Sequence, residues 1–291
     1  MFDRHPSLLV LLAASVWATS GLFIRFAALP PASMAFFRMA VPTILIGGYY
    51  LLRRHRISRS SLGIRLVASG INALRMLLYL VAFANTTIAN AVVMLYTWPV
   101  FASFFGVILL KERIDLLQKL LLLLAFSGIP LLYLGTELTF ADRDVLGMTA
   151  MLASAILHAL TLILLKQAKP GNDRFESTFF QNLLGALVFL PALWLPATLS
   201  ATPTRLVAAL GYGSVIGVGG FTLFFVALHR LPAAVASNLT YFEVVMAVFL
   251  GWAVLGEPVT WNTLVGGALI SLSIIFAQLR AYRAETQSAV A

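Results

Sequence analysis

Apolar runs of about 20 residues follow one another along nearly the whole chain, each closed by a short polar break, and few folds accept that pattern. At roughly 1.5 Å per residue, a helical run of that length matches the ~30 Å hydrocarbon core of a bilayer. A mean hydropathy of +0.94 with 11% charged residues does not fit a soluble domain. Ten spans are expected: Leu8 to Leu29, Ser33 to Leu52, Leu62 to Ala84, Thr87 to Leu110, Leu116 to Leu134, Val145 to Leu165, Phe175 to Leu195, Leu206 to Leu228, Ala233 to Leu255 and Val259 to Leu279. They must be helices, because lipid offers no partner to an unpaired backbone group and barrel strands would alternate in polarity. The expected fold class is therefore an all-α polytopic membrane protein with ten transmembrane helices.

The pattern is written twice. Ala84-Asn85-Thr86-Thr87-Ile88-Ala89-Asn90-Ala91, followed by Leu110-Lys111-Glu112, has a counterpart 145 positions later (Glu112 to Glu257). That counterpart is His229-Arg230-Leu231-Pro232-Ala233-Ala234-Val235-Ala236, followed by Leu255-Gly256-Glu257. The chain divides at its acidic Thr136 to Asp144 loop into residues 1–139, with spans 1 to 5, and residues 140–291, with spans 6 to 10 and a short cytoplasmic tail. An odd number of spans per copy inverts the second copy, which places a pseudo-two-fold axis in the membrane plane.

Placing the N-terminus in the cytoplasm puts fifteen Lys and Arg residues inside and leaves four outside: Arg25, Arg38, Arg143 and Arg205. Arg75 falls within a span. This positive-inside bias sets both termini in the cytoplasm and accounts for the net charge of +9 without a nucleic-acid partner. The first apolar run exceeds the ~7 to 15 residues of a signal-peptide core and is read as the first helix. With no cysteine and four scattered histidines (His5, His55, His158, His229), neither disulfides nor a metal or other cofactor is expected.

Polar side chains at membrane depth need a partner or a water-filled cavity. Asn72, Arg75 and Tyr79 share one face of the third span, and Ser154, His158 and Thr161 one face of the sixth. Trp17 and Ser20 stand on the first. The fourth and ninth, equivalent in the repeat, carry Asn90, Tyr96 and Trp98, and Asn238, Tyr241 and Glu243. Trp17, Tyr79, Tyr96, Trp98, His158, Asn238 and Tyr241 form the candidate substrate-binding set. Ser20, Ser154 and Thr161 equally suit bonds to neighbouring backbone. His158 suits packing, and Gly213 and Gly217 suit close helix contact. Pro99 is a candidate hinge. Arg75 and Glu243 either form a structural pair or act on substrate, Arg75 on a carboxylate and Glu243 on an ammonium or a coupling proton.

Trp17-Ala18-Thr19-Ser20-Gly21, Phe36-Phe37-Arg38, the endings at Glu112 and Glu257, and Glu243-Val244-Val245-Met246-Ala247 together resemble the drug/metabolite transporter superfamily in its ten-helix EamA branch. Asn90-Ala91-Val92-Val93-Met94-Leu95-Tyr96-Thr97-Trp98-Pro99 is similar to the YddG-type aromatic amino-acid exporters. Val244 departs from the proline usual after the ninth-helix glutamate. The resemblance implies a secondary transporter that exports small amphipathic metabolites, with aromatic or other apolar amino acids foremost, by alternating access through a central cavity. It implies a bacterial inner (plasma) membrane, with lipid and a small-molecule substrate as partners. A multidrug or other metabolite exporter of the same fold is the alternative. A membrane-embedded enzyme would show paired Asp-rich or Gly-x-Ser motifs inside spans, and none is present, so no enzyme is expected. A scaffold or sensor has no need of an inverted repeat.

Overall fold

The computed structural model describes residues 5–54, 61–86, 91, 94–132, 142–168, 175–255 and 261–290, and all regular structure within them is helical. In chain order the main helices are α1 (Pro6–Ala27), α2 (Pro31–Leu52), α3 (Leu62–Asn85), α4 (Trp98–Leu110), α5 (Leu116–Leu132), α6 (Asp142–Gln167), α7 (Glu176–Val188), α8 (Pro203–Leu228), α9 (Ala233–Val254) and α10 (Trp261–Val290), with a 3-10 helix at Leu190–Trp194 and a single helical turn at Pro196–Leu199 between α7 and α8. Among the described residues, six are long and apolar enough to cross a membrane: α1, α2, α3, α6, α8 and α9. The Trp98–Leu110, Leu116–Ile129 and Leu264–Phe276 stretches are shorter apolar helices. Asn90, Glu257 and the expected division between residues 139 and 140 lie outside the described residues.

Helix packing follows a paired scheme. Helix α3 lies along α6, and α1 along α8; α3 also meets α7, and α8 meets α2. In the same way α4 packs on α6 and α1 on α9, while α2 packs on α7 and α5 on α10. Exchanging each helix with the one five places along leaves this set of contacts unchanged. One core cluster draws on both halves, from Leu9 and Trp17 through Trp98 and Ala155 to Phe224 and Tyr241.

Three local irregularities shape the interior. Helix α1 is interrupted at Thr19, whose hydroxyl donates to the Val16 carbonyl at 2.7 Å while Ser20 donates to the Trp17 carbonyl at 2.5 Å. Helix α8 widens into π-helical turns over Tyr212–Gly220, a rare geometry that concentrates at functional sites. Its closeness to α2 requires glycine: a Cβ on Gly217 would stand 2.5 Å from Pro42 Cγ and 2.9 Å from the Arg38 carbonyl oxygen. Pro42 has no N–H to offer that carbonyl four residues earlier, so the chain is irregular where the two helices touch.

The third irregularity is doubled. The chain turns at Tyr96 and Thr97 before α4, and again at Thr240 and Tyr241 within α9. Tyr96 and Tyr241 are themselves 145 positions apart, the spacing of the sequence repeat. Pro99, the candidate hinge, sits in the first turn of α4, where a missing N–H is harmless, and the break precedes it. Its carbonyl accepts the hydroxyls of Ser103 at 2.9 Å and Ser237 at 3.2 Å, which fastens the start of α4 to α9.

Candidate functional site

A cavity of about 160 Å3 opens between the two halves. From the first half it is lined by Trp17, Ser20, Arg38, Arg75, Tyr79, Tyr96 and Trp98, and from the second by His158, Tyr212, Phe221 and Glu243. Of the candidate set read from the sequence, the structure brings Trp17, Tyr79, Tyr96, Trp98 and His158 to this wall, together with Arg75 and Glu243. Asn238 and Tyr241 stand behind it. Asn238 donates to Ser273 Oγ at 3.1 Å, and Ser273 donates to the Leu121 carbonyl at 2.6 Å, so Asn238 fastens α9 to α10 and α5. Tyr241 is fully buried and donates to the Tyr96 carbonyl at 3.0 Å.

The aromatic part of the wall is continuous. Trp98 meets the His158 imidazole edge-on with centroids 5.1 Å apart, and Phe224 lies 6.4 Å from Trp98 and 5.1 Å from Trp17. Trp17 in turn lies 4.7 Å from Phe221, and the Arg38 guanidinium sits over that ring at 4.2 Å. The close approach of α1 to α8 again depends on glycine, since a Cβ on Gly220 would come within 2.6 Å of Trp17 Nε1.

Arg38 is expected from the sequence as an outer charge and not as a cavity residue. Counted with the outer charges, it is in fact only 4% exposed, and its guanidinium donates to Asn182 Oδ1 at 2.9 Å. Its signal was its depth, seven residues into α2, which the charge count alone ignored. Of the two readings of Arg75 and Glu243, the structural pair is absent among the described residues: both line the cavity, but no salt bridge joins them there, and Arg75 Nε has no hydrogen-bond partner. The Arg75 guanidinium instead stands 5.9 Å from the Tyr79 ring, and Ser154 donates across to the Arg75 carbonyl at 3.0 Å. Thr161 bonds within its own helix, to the Leu157 carbonyl at 2.8 Å. Tyr212 and Phe221 were missed because the π-helical turns that aim Tyr212 into the cavity have no marker in residue spacing.

The opposite end of the bundle is closed by contacts between the halves. Glu112 Oε1 pairs with Lys166 Nζ at 2.5 Å, and Glu112 Oε2 accepts the Ala233 N–H at 2.6 Å, which caps the first turn of α9. Lys166 also donates to the Leu231 carbonyl. Arg65 pairs with Glu176 at 2.7 Å, with both side chains almost wholly buried. His229 lies between these pairs, 3.1 Å from Ser177 Oγ. Burial, with the charges of Lys166 and then Arg65 adding to it, pulls its imidazole down to about 4.

The EamA-like transporter family matches this sequence twice, over residues 6–134 and again over residues 145–278. The chain belongs to the EamA-like transporter family. The pseudopaline exporter CntI of Pseudomonas aeruginosa is 28% identical over 275 residues, covering 92% of this chain and 94% of the relative. An uncharacterized transporter of Archaeoglobus fulgidus is 26% identical over 275 residues, covering 94% of this chain and 96% of that one. Solute carrier family 35 member G1 of mouse is 26% identical and matches 67% of this chain. One solved crystal structure superposes with a TM-score of 0.81 at 18% identity, over 95% of this chain and 99% of its own, a likeness of fold. This EamA-like protein is thus a multi-pass membrane transporter of the drug/metabolite superfamily, with a small-molecule substrate.

Proposed function

We propose that this EamA-like transporter exports small amphipathic metabolites, aromatic amino acids foremost, from the cytoplasm by alternating access between two inverted five-helix repeats. The observation that carries the reading is a cavity walled by both halves and closed at one end by ion pairs between them. The twofold family match and the helix contacts that persist when each helix is exchanged for its counterpart support the inverted repeat and the ten crossings. In a bacterial inner membrane with both termini cytoplasmic, the closing ion pairs lie on the inner side and the cavity faces out. The aromatic wall of Trp17, Trp98 and Phe221 suits an apolar or aromatic body, as the resemblance to YddG-type exporters implies. Glu243, free of Arg75, is the carboxyl placed to carry a coupling proton.

Uptake and counterflow in sealed liposomes, with a panel of aromatic and aliphatic amino acids and with or without a pH gradient, test this reading. Saturable counterflow of the aromatic members is expected. Counterflow of none of the panel would refute the amino-acid assignment. It would favour export of another metabolite, as the name of the pseudopaline exporter suggests for that relative. Reporter fusions after Leu134 and at the C-terminus should fall on opposite sides of the membrane, and a common side would refute the five-plus-five inversion.

A further inference from the structure

The cavity wall has more cation than it can balance. Arg38 and Arg75 both line it and both are more than nine-tenths buried, against the single carboxyl of Glu243. Among the described residues no protein acceptor meets Arg75 Nε, and Trp17 Nε1 on α1 and His158 Nδ1 on α6 are likewise without a partner. A buried polar group left unsatisfied is destabilising, and native interiors leave few of them. Three such atoms on residues that line one cavity mark a place kept for a ligand. A guanidinium only donates, in a planar fork whose best complement is a carboxylate held by two parallel bonds. Arg38 is pinned for that task by Asn182 on one side and the Phe221 ring beneath it. The apolar surface starts at once beside this pole, with Trp17 on Phe221 and Trp98 on His158.

We propose that Arg75 and Arg38, with His158 of α6, form a carboxylate subsite, and that the transported molecule is an organic carboxylate whose apolar body lies along Trp17, Phe221 and Trp98. The carboxylate is the required group, and an amine is dispensable. The inference rests on reading this cavity as the substrate site.

Matched pairs of ligands decide it on the purified full-length protein, because a ligand of the folded state raises the unfolding temperature. Indole-3-propionate and hexanoate are compared at equal concentration with tryptamine and hexylamine. At least one carboxylate is expected to stabilise the protein well above its matched amine. Arg75→Lys is expected to weaken its apparent affinity roughly 10- to 100-fold, as loss of a charge-assisted bond implies. Stabilisation by the amines as large as that by the carboxylates, or none by either carboxylate, overturns the proposal, and both comparisons need only the unaltered protein. Hexanoate acting where indole-3-propionate does not would uphold the carboxylate subsite and defeat the aromatic substrate. Tryptamine acting where indole-3-propionate does not would defeat the subsite and uphold the aromatic body.

Discussion

Tyr241 donates its phenolic hydrogen to the backbone carbonyl of Tyr96 at 3.0 Å, with the two rings 6.3 Å apart. Each tyrosine stands at a break in its own helical path, and the two occupy equivalent places in the duplicated sequence. A carbonyl freed by a helix break inside a membrane needs a donor from elsewhere, and here one copy of the repeat supplies it to the other. Tyr241→Phe should therefore lower stability by about 1 to 3 kcal/mol, the range for a buried acceptor left unsatisfied. Tyr96→Phe keeps the carbonyl and should change stability far less. Thermal unfolding of both variants in detergent checks this, and equal losses would remove the bond from the account.

The ion-paired closure gives a second expectation. Glu112→Gln removes the charge that faces Lys166 and weakens the cap on α9, both at partly buried positions. Stability should fall by about 2 to 3 kcal/mol, somewhat below the full cost of breaking a deeply buried pair. The chain has no cysteine, so Ser177→Cys introduces a single labelling site beside the closure. Its labelling should quicken in the Glu112→Gln background, and an unchanged rate would separate this ion pair from gating.

Tyr79 and Trp98 should behave differently although both line the cavity. Tyr79 is half-buried, so Tyr79→Ala should reduce transport while the protein stays folded. Trp98 is buried against His158 and Phe224, so Trp98→Ala should lower transport and also stability, by about 3 to 5 kcal/mol for a large side chain lost from a core. Counterflow and unfolding temperature measured on the same preparations test the distinction. Full transport by Tyr79→Ala would take that ring out of the substrate path.

Acid should weaken the ion-paired closure through His229. Its folded value of about 4 lies below the 6.5 of the unfolded residue, so the unfolded chain binds more protons between those two limits. The contribution of the neutral imidazole is intact above about pH 6.5 and is lost as pH falls toward 4. His229→Gln should flatten the unfolding temperature over that window, and a profile as steep as that of the unaltered protein would exonerate the residue.

Glu243→Gln tests the coupling. With no salt bridge to Arg75 to lose, the variant should fold and support counterflow without a pH gradient, while uptake driven by a pH gradient should disappear. Retention of both activities would deny Glu243 the proton. Loss of both activities accompanied by loss of folded protein would return it to a structural role.

Membrane-spanning character, helical state and duplication were legible in the sequence because each follows from local or periodic chemistry: apolar runs that match a bilayer, backbone that must bond to itself, and segments repeated at a fixed interval. Depth alone picked out Trp17, Arg75, Tyr79, Trp98, His158 and Glu243, since polar and aromatic groups inside a span need a reason to be there. Which of them meet was decided only by tertiary structure. Opposite charge at membrane depth suggested a pair between Arg75 and Glu243 as one reading, whereas the packing of α3 against α6 and the path of α9 leave them unjoined around a cavity. Arg38 read as an outer charge until the glycines of α8 brought that helix against α2 and buried it. Asn238 and Tyr241 read as wall and proved to be buttress, because a helical face records direction around an axis while the distance to a cavity depends on every neighbouring helix.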